Sequence, residues 1–364
     1  MKKIYLLLSF CISFGMQHIL VAQQDAQFSQ YMFNGMYYSP GFAGLDGMTR
    51  ATFIHRTQWL SYNPSLPQSR DANSSYPVNY SESGGAPQTN ILTIQSLTPF
   101  LNKSLGAGLT ILQDVFGPLR TFQVQLTGSY IIKMKGGNLG LGIRAGFFNQ
   151  AVRNLNEYRV INTEDEVYKQ LTTSGGNLAS QTKPDVNIGV AYRTNKYYAG
   201  FSFAHLIRSS FSYGFDQSIN KVANHMYLTG GYNFNLGSMI VLTPSLLVQS
   251  DFQQLSSVYG AIATYNDKFW FGINLRQSFA KKDLATGGSV LRNDDVVFLV
   301  GANLLKNKQN NNALKIGYAF DFVTSGANAK TRTSHEILLS YLIVPPWDIL
   351  KPKIRTPRYR HDEN

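Results

Sequence analysis

Between residues 119 and 132 apolar and polar positions alternate: Phe122, Val124, Leu126, Gly128, Tyr130 and Ile132 fall on one side, Thr121, Gln123, Gln125, Thr127 and Ser129 on the other. Successive side chains of a strand point to opposite faces, so a period of two predicts a strand with one apolar and one polar face. Residues 138–150 repeat it, setting Leu139, Leu141, Ile143, Ala145 and Phe147 against Gly140, Gly142, Arg144, Gly146 and Phe148, with Phe148 the one misfit. Further strands are assigned to 48–59, 89–97, 104–114, 185–194, 196–205, 225–236, 239–250, 254–265, 268–278, 294–305, 313–324 and 333–343. Stretches 239–250 and 294–305 are apolar on both faces, so period two is not visible in them.

These stretches number about fourteen and are close to the ten-residue span of an outer-membrane strand, with apolar positions facing out and polar or small ones facing in. Backbone groups in hydrocarbon must pair within the protein, and strands can achieve this only in a closed barrel. The expected fold class is therefore all-β: a transmembrane antiparallel outer-membrane β-barrel of about 14 strands, apolar outside and watery inside. Connection lengths support it. Connections 60–88, 151–184, 206–224 and 279–293 are long and odd-numbered, whereas Asn195, Gly237-Ser238 and Asn266-Asp267 make tight even-numbered turns. Outer-membrane barrels put short turns in the periplasm and long loops outside, so both termini are expected to be periplasmic. Tyr130, Tyr192, Tyr197, Tyr232, Tyr265, Phe269 and Tyr341 are outward residues near the tight turns or the last strand's end, as an interfacial aromatic girdle requires. A soluble β-sandwich would carry a charged exterior; here that face is Leu, Ile, Val, Phe and Tyr.

The amino terminus and the composition fit this frame. Residues 1–22 combine Lys2 and Lys3, a short apolar run and a Leu20-Val21-Ala22 ending, which is the layout of a secretory signal peptide. Cys11, the only cysteine, lies within it, so thiolate chemistry and disulfides are excluded from the mature chain. Charged residues make up 15% of the chain, against about 25% in ordinary globular domains. Past the signal peptide 31 basic residues face 21 acidic ones, and five of the basic ones (Lys351, Lys353, Arg355, Arg358, Arg360) crowd the carboxyl terminus. The rest are scattered without the interleaved aromatics of single-strand binders, so no nucleic-acid partner is expected.

Residues 140–146 contain Gly140, Gly142 and Gly146, but their spacing is wrong for a dinucleotide fingerprint and no helix start follows. Small inward residues explain them better, as they do Gly106, Gly108, Gly189, Gly200, Gly231, Gly260, Gly272, Gly301 and Gly317, which leave room in the lumen. His55, His205, His225, His335 and His361 are far apart in sequence, with no two at metal-ligand spacing, so neither metal nor cofactor is expected. His335-Glu336 is the one tempting acid–base pair. Adjacent strand residues face opposite ways, so no catalytic residue is assigned and the chain is not read as an enzyme. Arg56, Arg144, Arg193, Arg276, Lys315, Asp321 and Glu336 all fall on inward positions. That one-sidedness is what a barrel requires, since lipid-facing Arg or Lys costs about 2–4 kcal/mol at the midplane; the residues suit either a selective pore or an internal ion-pair network, and the network is the favoured reading.

Before the first strand, residues 23–47 are aromatic-rich, punctuated by Gly and Pro and barely charged, unlike a disordered tail. Gln27, Phe28, Tyr31, Phe33, Asn34 and Pro40 are the candidates for a lumen plug or a partner-binding surface. Here the chain resembles the PorP/SprF family of type IX secretion system membrane proteins: in residues 24–34 (QDAQFSQYMFN), in 39–44 (SPGFAG), in His55-Arg56-Thr57-Gln58-Trp59, and in 334–341 (SHEILLSY) of the last strand. Family members commonly carry Asn-Pro-Ala where this chain has Ser39-Pro40-Gly41. The resemblance implies a cell outer membrane component that supports export or surface anchoring of large cargo proteins or gliding adhesins. Its partners would be the cargo's C-terminal signal domain, other type IX secretion components including the periplasmic ring, and outer-membrane lipid. The alternative is a small-solute transporter or porin. The expected organisation is a signal peptide at 1–22, a plug or partner-binding segment at 23–47, a barrel at 48–343 and a basic periplasmic tail at 344–364.

Overall fold

The alternating stretches satisfy their backbones by joining edge to edge and closing on themselves. In the computed structural model the described residues are 25–60, 86–99, 104–117, 119–152, 180–211, 221–280, 290–307, 312–324 and 333–343. The expected signal peptide and basic tail lie outside them, as do most of the long connections. The strands are β1 (Thr49–Thr57), β2 (Gln88–Leu97), β3 (Leu105–Phe116), β4 (Leu119–Met134), β5 (Gly137–Val152), β6 (Gln181–Arg193), β7 (Tyr197–Ala204), β8 (His225–Tyr232, resuming as Phe234–Leu236), β9 (Ile240–Ser250), β10 (Gln254–Tyr265), β11 (Phe269–Ala280), β12 (Val290–Asn307), β13 (Asn312–Val323) and β14 (Ser334–Ile343). Each pairs antiparallel with the next, and β1 pairs with β14 from Thr49↔Ile343 to Thr57↔His335, which closes a barrel. No helix among the described residues is long and apolar enough to cross a membrane.

Every stretch assigned from the alternation is a strand, and the differences are at the ends. β6 begins at Gln181 rather than 185 and β12 at Val290 rather than 294, through Gln150↔Gln181 and Gln277↔Asn293 pairs. Ladder pairing continues past the hydrocarbon, where alternation is no longer imposed. The 225–236 stretch is interrupted at Asn233, whose N–H donates to the Lys196 carbonyl at 2.6 Å and whose side chain accepts from Thr243 at 2.9 Å.

The two faces follow the alternation. On β4, Phe122, Leu126, Tyr130 and Ile132 are exposed while Thr121, Gln123, Gln125, Thr127 and Ser129 are buried. The tyrosines form contiguous pairs at the tight-turn end: Tyr197 stacks on Tyr232 with centroids 6.2 Å apart and lies 5.8 Å from Tyr192.

The watery interior is the expectation that fails. Residues 25–47 run through the lumen as two 3-10 turns, Tyr31–Phe33 and Pro40–Phe42, flanking one helical turn, α1 (Gly35–Tyr38). Their aromatic side chains meet inward apolar residues: Ile54, Ile91, Leu112, Leu247 and Leu338 cluster with Phe28, Tyr31, Tyr37 and Tyr38, and Val297, Leu299 and Trp270 pack against Met32 and Phe33. That is why β9 and β12 are apolar on both faces: one face meets lipid, the other a resident segment. Phe148 finds its partners inside as well, 5.7 Å from the His205 ring and 5.6 Å from Phe211.

Candidate functional site

The lumen segment travels from the end of the barrel bearing the long connections to the end bearing the tight turns. Asp25 meets residues flanking the 206–224 connection, whereas Gly44 packs on Ser96 and Leu97 at the opposite end of β2. Phe28 and Tyr31 are fully buried; Phe28 sets its ring edge-on to Tyr37 at 5.4 Å and Tyr31 shares a 2.8 Å hydrogen bond with Ser245. Phe33 lies 4.9 Å from Trp270, with the Lys315 ammonium 3.8 Å above its ring, a cation–π contact. Asn34 accepts from Thr93 at 2.8 Å, Pro40 is buried where Gly142 and Gly189 make room, and Gln27 lines a vestibule above the segment.

Ser29 sits at the centre of the inward charges. Its hydroxyl accepts from Arg56 at 2.6 Å and Arg276 at 2.9 Å and donates to the Asp321 carboxylate at 2.8 Å. The backbone N–H groups of Ser29 and Gln30 each donate to Glu336 at 2.8 Å, one to each carboxylate oxygen, and Asn274 donates to the Ser29 carbonyl at 3.2 Å. Around this core Arg56 pairs with Asp321 at 2.6 Å and Glu336 at 3.3 Å, and Arg276 with Asp295 at 2.5 Å and Asp321 at 3.2 Å. Buried ions cost several kcal/mol each unless partners satisfy them. Here strands supply both signs of charge, and the segment supplies the hydroxyl and two amides that complete the hydrogen bonding.

The other inward cations are spread down the lumen. Arg144 donates to the carbonyls of Met36 at 3.3 Å and Tyr37 at 2.8 Å, which occupies orphan acceptors of the α1 turn. Arg193 stands apart near the tight turns, its guanidinium 5.9 Å from the Tyr198 ring. Glu336 points inward and its neighbour His335 outward, where His335 contacts Tyr318 at 2.5 Å, so the two share no site.

The lower half of the segment is held by backbone. Ser129 donates to the Ala43 carbonyl at 2.5 Å, Ser202 to that of Tyr38, and the Ser39 hydroxyl reaches the carbonyls of Val190 and Phe201 at 3.2 and 3.3 Å. Gly106 lies so close to Ala43 that a methyl there would overlap the Ala43 carbonyl. A methyl on Gly41 would overlap the backbone of Gly140 and Ala191, so Ser39-Pro40-Gly41 makes a close approach to the wall that only glycine permits. Asp46 ends the path 2.8 Å from Arg50; burial works against its charge, but Arg50 and Arg193 hold its carboxyl below the usual carboxylate range.

One cluster was not legible from spacing. Asp25, His205 and His225, far apart in the chain, meet where the segment begins. His205 Nε2 lies 3.0 Å from both Asp25 carboxylate oxygens and its Nδ1 3.0 Å from Asp185. Burial would lower the His205 pKa, yet Asp25 and Asp185 raise it to about 10; burial would likewise raise that of Asp25, and the two histidines hold it well below the usual carboxylate range. The signal available beforehand was positional: the assigned strands 196–205 and 225–236 end and begin on the two histidines, either side of one long connection, and the Ala204↔His225 register brings those ends together.

Among solved structures, the chain is similar to the Ralstonia pickettii toluene transporter TbuX, at 11% identity and a TM-score of 0.44, covering 85% of this chain and 92% of that one. It is also similar to a deletion mutant of the monoaromatic hydrocarbon channel TodX, at 10% identity and a TM-score of 0.47, covering 92% and 98%. A comparison with curated protein sequences found no match. The family described as type IX secretion system membrane protein PorP/SprF matches residues 20–341.

Proposed function

Because the chain belongs to the type IX secretion system membrane protein PorP/SprF family, we propose that it is a non-enzymatic outer-membrane subunit that supports export or surface anchoring of cargo through protein–protein contact, its lumen plugged by residues 25–47. The observation that carries this reading is the Ser29 clasp, in which a segment of the chain completes an ion network built on the barrel wall. A solute pathway would need that network to part. What remains at the long-connection end is a vestibule of about 330 Å³ whose floor includes Asp25, Ala26 and Gln27 of the segment. Contacts with cargo signal domains and other secretion components then fall to surfaces outside the lumen, among them the carboxyl-terminal tail, which this reading places in the periplasm.

Affinity capture from native outer membranes followed by mass spectrometry tests the secretion role. Recovery of large proteins with C-terminal signal domains, together with periplasmic ring components, is expected; recovery of bulk porins and lipid alone would overturn it. Planar-bilayer recording tests the plug, with no steady open current expected, while sustained conductance would favour the porin alternative.

A further inference from the structure

We propose that Asp25, His205 and His225 form a binding site for a divalent first-row transition ion, zinc(II) being the member that the donor set suits best, at the point where the segment enters the lumen. The Asp25 carboxylate and one nitrogen from each ring all lie within 4.8 Å of one another. Donors around a tetrahedral zinc, bound at about 2.0–2.2 Å, are separated by roughly 3.3 Å, so modest side-chain adjustment brings the three onto one ion. Two imidazoles and a carboxylate are intermediate donors that zinc and its neighbours in the series accept, and they leave a fourth position for water.

The hydrogen bonds around the rings have the arrangement that metal-binding histidines show. His225 Nε2 accepts the Asp25 backbone N–H at 3.3 Å, so that nitrogen carries the lone pair, and an ion would take the place of this long hydrogen bond. Its proton is therefore on Nδ1, which faces the Ala223 carbonyl at 3.1 Å. His205 presents Nδ1 to Asp185 and Nε2 to Asp25, so the Nε2 position between ring and carboxylate holds either a proton or a cation. Metal-ligating histidines commonly donate the other ring N–H to a carboxylate or backbone carbonyl, which fixes the tautomer and orientation. Both histidines here have such a partner, and the Tyr227 hydroxyl additionally bonds the Asp25 carboxylate. Both rings are buried, whereas Asp25 borders the vestibule and gives an ion a way in. An ion here would join the start of the lumen segment to the ends of β7 and β8. This inference is independent of the secretion reading.

The test uses the full mature protein purified from outer membranes in detergent, stripped with a chelator and titrated with Co²⁺ alone. One equivalent per chain is expected, with visible d–d absorption that Zn²⁺ displaces. His225→Gln and His205→Gln should abolish the bands, while His335→Gln, outward on β14, should retain them, each variant first checked for folding by circular dichroism. Asp185→Asn, which reaches the cluster only through the far nitrogen of His205, should weaken binding by about 10–100-fold. Absence of stoichiometric uptake by the wild-type protein overturns the proposal, and so does uptake that persists when both histidines are replaced.

Discussion

The two ends of the lumen segment are held by different physics. Near the long connections, residues 25–30 are fixed by charge: the Asp25 carboxylate between imidazoles, and Ser29 within two guanidinium and two carboxylate groups. Near the tight turns, residues 39–45 are fixed by shape, with backbone carbonyls on strand serines and backbone pressed onto glycines that have no Cβ to interfere. The first kind of hold is undone by changing a charge, the second by adding atoms to a glycine or removing a serine hydroxyl. A segment gripped in both ways can be freed at one end while the other stays seated.

Four substitutions, with Gly128→Ala as a control, break or sharpen this contrast. Glu336→Ala removes the acceptor of two segment amides and one partner of Arg56, and loss of a buried ion partner costs about 3–5 kcal/mol. Urea unfolding of the detergent-refolded protein should show that loss, with faster amide exchange at Ser29 and Gln30; an unchanged midpoint would mean that the clasp does not hold the segment. Ser29→Ala deletes a hydroxyl hydrogen-bonded to charged groups, a net loss of about 1.5–3 kcal/mol. Its exchange signature should be confined to the upper half, and spread into residues 39–45 would refute the division. Gly106→Val forces side-chain atoms onto the Ala43 carbonyl, an overpacking cost of about 1–3 kcal/mol. It should raise single-channel conductance by unseating the lower half, whereas Gly128→Ala, facing open space on the outer side, should leave the current unchanged.

The smallest effect belongs to Asp46. Its carboxyl is held below the ordinary value of 3.8, so the stability it contributes is present above that pH and is lost as pH falls through the lower folded-state value. Asp46→Asn should cost about 0–1 kcal/mol at neutral pH, as expected of a partly exposed ion pair. It should also flatten the acid limb of the unfolding curve; a limb of unchanged slope would show that the pair is silent.

The sequence made the wall legible and the contents much less so. Phe122 to Ile132 announced a lipid face because hydrocarbon imposes one requirement on every second residue. Strand ends such as Gln181 and Val290 escaped because pairing outlasts that requirement. Arg56, Asp321 and Glu336 read as inward from their parity alone, but nothing in parity says that Ser29 joins them. The apolar stretches 239–250 and 294–305 looked featureless for a reason only the segment explains: Leu247, Val297 and Leu299 were patterned against Tyr31, Met32 and Phe33, not against water. The meeting of Asp25, His205 and His225 depended on where the segment starts in the lumen, which no local pattern encodes.

The register between β1 and β14 carries one more implication. Arg56 belongs to the first strand and Glu336 to the last, directly opposed across the seam where the cylinder shuts, and Ser29 bridges them from within. Sealing the seam and seating the segment therefore draw on the same few groups: the wall brings Arg56 and Glu336 together, and the insert completes the hydrogen bonding of both.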